Sequence, residues 1–156
     1  MENTDIRIFL DREELTEPYA NLVKIGEEAS ADAYAPYSNF QVGAAVLLED
    51  GSIVKGSNFE NASYPLCLCA ERVALASVHS QQPGAVVKMI AVTAKNPKQP
   101  VTEPVAPCGA CRQVLCEYEQ KQGSAMEVIM YGETGSVVVY KSAAKLLPMA
   151  FDHTFL

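Results

Sequence analysis

Histidine is scarce in this chain: two residues, His79 and His153, in 156, neither placed in a metal motif. A zinc site built on several imidazoles is therefore excluded, and both are read as helix-end or surface residues. Cations are also few, with 12 Lys and Arg against 19 Asp and Glu and a formal net charge of -7. A polynucleotide-binding face needs clustered Lys and Arg, so nucleic acid polymers are not expected as partners. No apolar run approaches the roughly 18 residues that cross a bilayer, which predicts no membrane association. The opening Met1-Glu2-Asn3-Thr4-Asp5 is polar and acidic, not cationic and then apolar, which predicts no secretion leader. Repeats, low-complexity tracts and internal linkers are missing too. What is present is 49% hydrophobic and 20% charged, enough for one core, so a single domain over 1–156 is expected. Five cysteines, an odd number, favour metal or free thiols in the cytoplasm over disulfides.

Periodicity places the elements. From Asp11 to Tyr34 a helix is expected, with Thr16 as N-cap, Pro18 in the first turn, and Leu22, Val23, Ile25, Gly26 and Ala29 near a 3.6-residue period. Gln41–Leu48 and Ser52–Asn58 are β-rich runs joined by Glu49-Asp50-Gly51, a hairpin signal. Helical composition resumes from Leu68 to Ser80. Val86–Ala94 is nearly continuously apolar, the mark of a central strand buried on both faces. A proline-rich loop then leads to a helix from Cys108 to Gln120, strands at Met126–Tyr131 and Ser136–Tyr140, and a short helix from Ser142 to Leu147. The order α-β-β-α-β-α-β-β-α predicts one mixed sheet with helices on its faces.

Two short segments carry the chemistry: Cys69-Ala70-Glu71 and Pro107-Cys108-Gly109-Ala110-Cys111. Three thiolates hold one Zn²⁺ and leave a fourth position open for water, which separates a catalytic zinc from a closed structural one. Cys108 and Cys111, three residues apart at a helix start, project to one side and can share a metal. Alone, a C-x-x-C pair serves zinc and redox chemistry equally well. Cys69-Ala70-Glu71 at the head of another helix, with Pro107 directly before Cys108, selects zinc and nucleobase-type deamination. Two helix N-termini facing the sulfurs favour thiolates, and Arg72 adds a positive charge. Glu71 is the expected proton carrier, acting first as base toward water and then as acid toward the leaving amine. Cys67 and Cys116 are read as small buried residues. The alternative from another class, a closed four-cysteine interaction module using Cys67, leaves Glu71 without a purpose.

Around those segments stand Ala33-Tyr34-Ala35-Pro36-Tyr37-Ser38-Asn39-Phe40-Gln41-Val42-Gly43, Asn58-Phe59-Glu60-Asn61-Ala62-Ser63-Tyr64, Cys69-Ala70-Glu71-Arg72, Pro107-Cys108-Gly109-Ala110-Cys111-Arg112-Gln113 and Leu146-Leu147-Pro148-Met149-Ala150-Phe151. Together they resemble the small homotetrameric cytidine deaminases over nearly the whole chain, from about Leu22 to Phe151. The resemblance implies a three-layer αβα fold around a central mixed five-stranded sheet and one Zn²⁺ per chain. It also implies a homotetramer with active sites shared between subunits, and hydrolysis of cytidine and 2′-deoxycytidine to the uridines and ammonia in pyrimidine salvage. Carried over residue by residue, it assigns Cys69, Cys108 and Cys111 to the metal and Glu71 to proton transfer. Asn58 and Glu60 fall to the ribose 3′-hydroxyl, Phe40 to the pyrimidine face, and Ala70 to the base edge. Ala62 and Tyr64 fall near the 5′-hydroxyl across an interface, and Phe151 lends a ring to a neighbouring subunit. An antibiotic deaminase of the blasticidin type shares the zinc segments, but Asn58 and Glu60 suit an unmodified ribose better. Cys67 stands where that family usually carries a small or hydroxylated residue.

Overall fold

Strict alternation in Gln41–Leu48 sends Ala44, Val46 and Leu48 to one side and Ala45 to the other, and the strand β2 that results has an apolar core on each face. The computed structural model describes residues 5–156. Residues 1–4, most of the segment behind the expectation of no leader, lie outside the described residues. Strand β2 turns into β3 (Ile53–Ser57) through Asp50 and Gly51. Gly51 sits at φ +88°, a conformation natural to glycine, and the Asp50 carboxylate accepts the Ser52 N–H at 2.9 Å. On its other side β2 pairs antiparallel with β4 (Val87–Lys95), whose residues 90–94 are all buried. Strand β4 runs parallel to β5 (Glu127–Tyr131), and β5 pairs antiparallel with β6 (Val137–Tyr140).

The sheet has six strands, not the expected five. A first strand, β1 (Ile6–Phe9), adds to the edge of β6, giving the order β1-β6-β5-β4-β2-β3. Four residues are too few for alternation to register in a charged stretch, and the pairing is reinforced by distant partners. Arg7 Nη2 donates to Tyr19 Oη at 2.6 Å and to Glu127 Oε1 at 2.7 Å, while Tyr19 Oη donates to Glu127 Oε2 at 2.6 Å.

Helix α1 (Tyr19–Ser30) lies on one face, where Leu22 and Val23 meet Ala45, Ala91, Ile129 and Val139. It starts later than expected. Arg12–Glu14 form a separate 3-10 turn, and Pro18, not Thr16, is the N-cap, with no side-chain cap bond. On the opposite face lie α2 (Ala70–Gln81), α3 (Gly109–Gln122) and a 3-10 turn at Ala143–Leu146. That turn replaces the short helix expected at Ser142–Leu147, since Pro148 leaves no room for a second turn. The three-layer αβα arrangement is as expected. Among the described residues no helix is long and apolar enough to cross a membrane.

The start of α2 lies almost on the backbone of β3. A Cβ placed on Gly56 would stand 2.5 Å from Ala70 O and 2.6 Å from Ala74 N. Neither backbone atom can retreat without moving the helix that begins at the zinc segment. Gly56→Ala is therefore expected to cost about 1–3 kcal/mol of stability, read as a lower urea midpoint.

Candidate active site

Two helix starts and one strand end converge on a cavity of ≈ 320 Å³. Cys69 is the N-cap of α2 and Cys108 the N-cap of α3, both in extended backbone conformation, and neither caps with its side chain. The sulfurs are free to face one another. Cys69 Sγ and Cys108 Sγ are 4.0 Å apart, and with Cys111 Sγ, one turn into α3, all three lie within 4.8 Å of one another. Ligands at about 2.3 Å from a tetrahedral zinc stand about 3.8 Å apart, so the trio fits that ion with little adjustment. Among the described residues no other group of thiol, imidazole and carboxylate donors closes in this way.

Cys69 is pulled down to about 5, chiefly by the Cys111 thiol that donates to it and, against its burial, by Arg72 and Cys108. Cys111 is pushed up, since it holds the proton of that hydrogen bond. Arg72 Nη2 lies 3.9 Å from Cys69 Sγ and donates to Cys67 O at 3.0 Å, so the guanidinium is fixed beside the thiolate. Two residues into the same helix, Glu71 is only 4% exposed yet lines the cavity. Burial raises its carboxyl above the usual carboxylate range, and the negative Cys69 adds to the rise. Such a group holds a proton more readily than a surface carboxylate and suits an acid and base role near neutrality.

Asn58 and Glu60 follow β3 and face the same space. Asn58 Oδ1 accepts the Val42 N–H at 2.7 Å, and Nδ2 donates to Phe40 O at 2.9 Å, which leaves one amide N–H unused. The Glu60 carboxylate accepts the Tyr37 N–H at 2.9 Å, the Ser38 N–H at 3.3 Å and the Ser38 hydroxyl. Burial would raise Glu60, but these bonds outweigh it and hold the carboxylate below its usual range.

The other expected residues divide. Phe40 lines the cavity; Ala70, fully buried at the start of α2, is not among its lining residues. Ala62, Tyr64 and Phe151 do not line it, and Tyr64 and Phe151 are 69% and 60% exposed. Cys116 is buried as expected. Cys67 corrects its expectation: it is half-buried and lines the cavity, with Sγ accepting the Asn61 N–H at 3.2 Å, and it is not part of the sulfur trio. His79 and His153 are exposed. Sequence reasoning passed over Ser38, which orients Glu60 and accepts the Phe40 N–H at 2.9 Å. Its signal was the Pro36-Tyr37-Ser38-Asn39 turn, where Asn39 takes φ +59°.

Residues 16–126 match the family model described as the cytidine and deoxycytidylate deaminase zinc-binding region. The chain belongs to this deaminase family. Relatives within the family include the cytidine deaminase of Halalkalibacterium halodurans, 44% identical over 83% of this chain and 91% of that protein. The cytidine deaminase of Sporosarcina psychrophila is 41% identical over 84% of this chain and 89% of its own. Among solved structures, cytidine deaminase from Burkholderia pseudomallei superposes with a TM-score of 0.75 at 44% identity, covering 88% of this chain and all (100%) of that one. The deaminase from Mycobacterium tuberculosis gives 0.67 at 33% identity, over 88% and 99% of the two chains. The family is a zinc-binding one, and the sulfur trio is a cluster that could hold that ion. Family membership also fits the αβα layering.

Proposed function

We propose that this chain is a zinc-dependent cytidine deaminase that converts cytidine and 2′-deoxycytidine, with water, into the uridines and ammonia. The observation that carries the reading is the trio Cys69, Cys108 and Cys111, with sulfurs within 4.8 Å of one another, sharing a cavity wall with the buried Glu71. Zinc held there supplies a Lewis acid that makes a neighbouring water acidic enough to attack at neutral pH.

This chain's own residues do the rest. Glu71 takes a proton from the attacking water and delivers it to the ring nitrogen beside C4; it then takes the remaining hydroxyl proton and passes it to the amine, which leaves as ammonia as the C4 carbonyl forms. Its raised affinity for protons suits a group that must both accept and return them. The free amide hydrogen of Asn58 and the remaining lone pairs of Glu60 offer a donor and an acceptor, the pair that recognises a ribose hydroxyl. Phe40 packs on the pyrimidine, and the Ala70 backbone reads the base edge. A neutral substrate suits the cavity, since its lining includes Glu60 and Glu71 and no Lys or Arg.

The exposure of Tyr64 and Phe151 outside their own cavity supports a homotetramer in which Ala62, Tyr64 and Phe151 complete a neighbouring subunit's site. The whole chain, 1–156, acts as one catalytic domain. Five unpaired cysteines accord with a reducing cytoplasm and a place in pyrimidine salvage.

Purified protein incubated with cytidine is expected to abolish the cytidine absorbance band and release one ammonia per nucleoside, with one zinc per chain by elemental analysis. Blasticidin is expected to release none. Ammonia from blasticidin alone would move the chain to the antibiotic deaminases, and a metal-free active protein would overturn the reading.

A further inference from the structure

Helix α3, which opens at Cys108, also grips the end of the chain. Near its far end the Glu119 carboxylate accepts hydrogen bonds from Ser142 Oγ at 2.6 Å and from the Ala143 N–H at 2.8 Å, at the head of the 143–146 turn. On its first turn Arg112 Nη1 donates to Leu146 O at 3.3 Å, and its Nε donates to Pro107 O at 2.8 Å, next to the metal ligand Cys108. One residue on, Gln113 Nε2 donates to Phe151 O at 2.8 Å. Between Leu146 and Phe151 the chain makes an open turn at Met149, which is fully solvent-exposed with φ +60°. Phe151 itself stands exposed, its ring stacked on Phe155 with centroids 5.5 Å apart and planes at 12°.

We propose that Gln113 is a positioning residue that fixes where the Phe151 ring is presented, and through it the affinity for the nucleoside. The inference rests on the proposed function, in which that ring closes a neighbouring subunit's site. The carbonyl of Phe151 is one bond from its Cα, so pinning the oxygen to α3 limits both the height and the direction of the ring. The same helix carries Cys108 and Cys111, and the strap and the metal ligands therefore share one rigid base. A side chain that acts only on ring placement changes substrate binding and leaves the bond-making step alone.

The test uses the zinc-loaded full chain with Gln113→Ala and Gln113→Glu. The first removes the donor; the second keeps the shape and turns a carboxylate toward the carbonyl. Both are expected to raise KM for cytidine roughly three- to tenfold, the worth of one neutral hydrogen bond, with kcat within about twofold and zinc content unchanged. Amide exchange over 151–156 should quicken in both. In a Phe151→Ala background, Gln113→Ala should add nothing further to KM. An unchanged KM, a fall in kcat alone, or additive effects with Phe151→Ala would overturn the inference while leaving the deaminase reading intact. Wild-type protein inert toward cytidine would overturn both.

Discussion

Glu71→Gln is expected to keep its zinc and lose turnover by about 10²–10⁴-fold. The substitution replaces one carboxylate oxygen by an amide nitrogen of nearly the same size at a position only 4% exposed, so packing against α2 and the sheet is preserved. What disappears is a group able to accept a proton in one step and return it in another. The metal has no reason to leave, because Glu71 is not one of the three clustered sulfur ligands. Elemental analysis and steady-state ammonia release on the same sample separate the two effects. Near-normal turnover in the variant would remove Glu71 from the proton path.

Cys69→Ala is expected to release the metal, abolish activity and lower the melting temperature together. Two thiolates at the head of α3 remain, but Cys69 is the one sulfur of the trio drawn from the other helix. Without it the two helix starts are no longer tied. Binding to the folded state alone is worth about 4 kcal/mol when free zinc is 1,000-fold above its Kd, so chelation of the wild type should reproduce much of the stability loss. Arg72, held beside the missing sulfur, would be left without its anion. Cys67→Ala is the matched control. Its sulfur is engaged with Asn61 and stands outside the trio, so zinc should stay at one per chain. Loss of zinc from that variant would revive a closed four-cysteine site.

The parts of the fold that were legible are those where local chemistry and tertiary placement agree. Asp50-Gly51 marks its hairpin because the turn needs a residue at positive φ, and the run from Val87 reads as central because both its faces are buried. Helical composition after Leu68 and the end of the proline-rich loop at Pro107 put Cys69 and Cys108 at helix starts, and both are N-caps. The failures share a cause. Ile6–Phe9 is a strand because β6 and the pair Tyr19 and Glu127 hold it, partners far away in sequence. Pro18 starts α1 where pattern favoured Thr16, since periodicity says nothing of where the chain turns into a helix. Cys67 reads as a core thiol because residue type alone cannot tell a cavity wall from a packed interior. Ser38 leaves only the mark of the Pro36–Asn39 turn for a similar reason: a hydroxyl that orients a carboxylate 22 residues away has no periodic trace.

The sheet order sets chemistry and accretion at opposite ends. The cavity takes Val42 from β2, Val92 from β4 and Asn58 and Glu60 from the segment just after β3, whereas β1 joins the far border beyond β6, and the family match begins only at residue 16. Material attached along that border changes which backbone groups are left open to solvent without tilting either helix that bears a sulfur. Peptide tags or fused partners joined ahead of β1 thus meet the molecule at the sheet border farthest in strand order from the cavity.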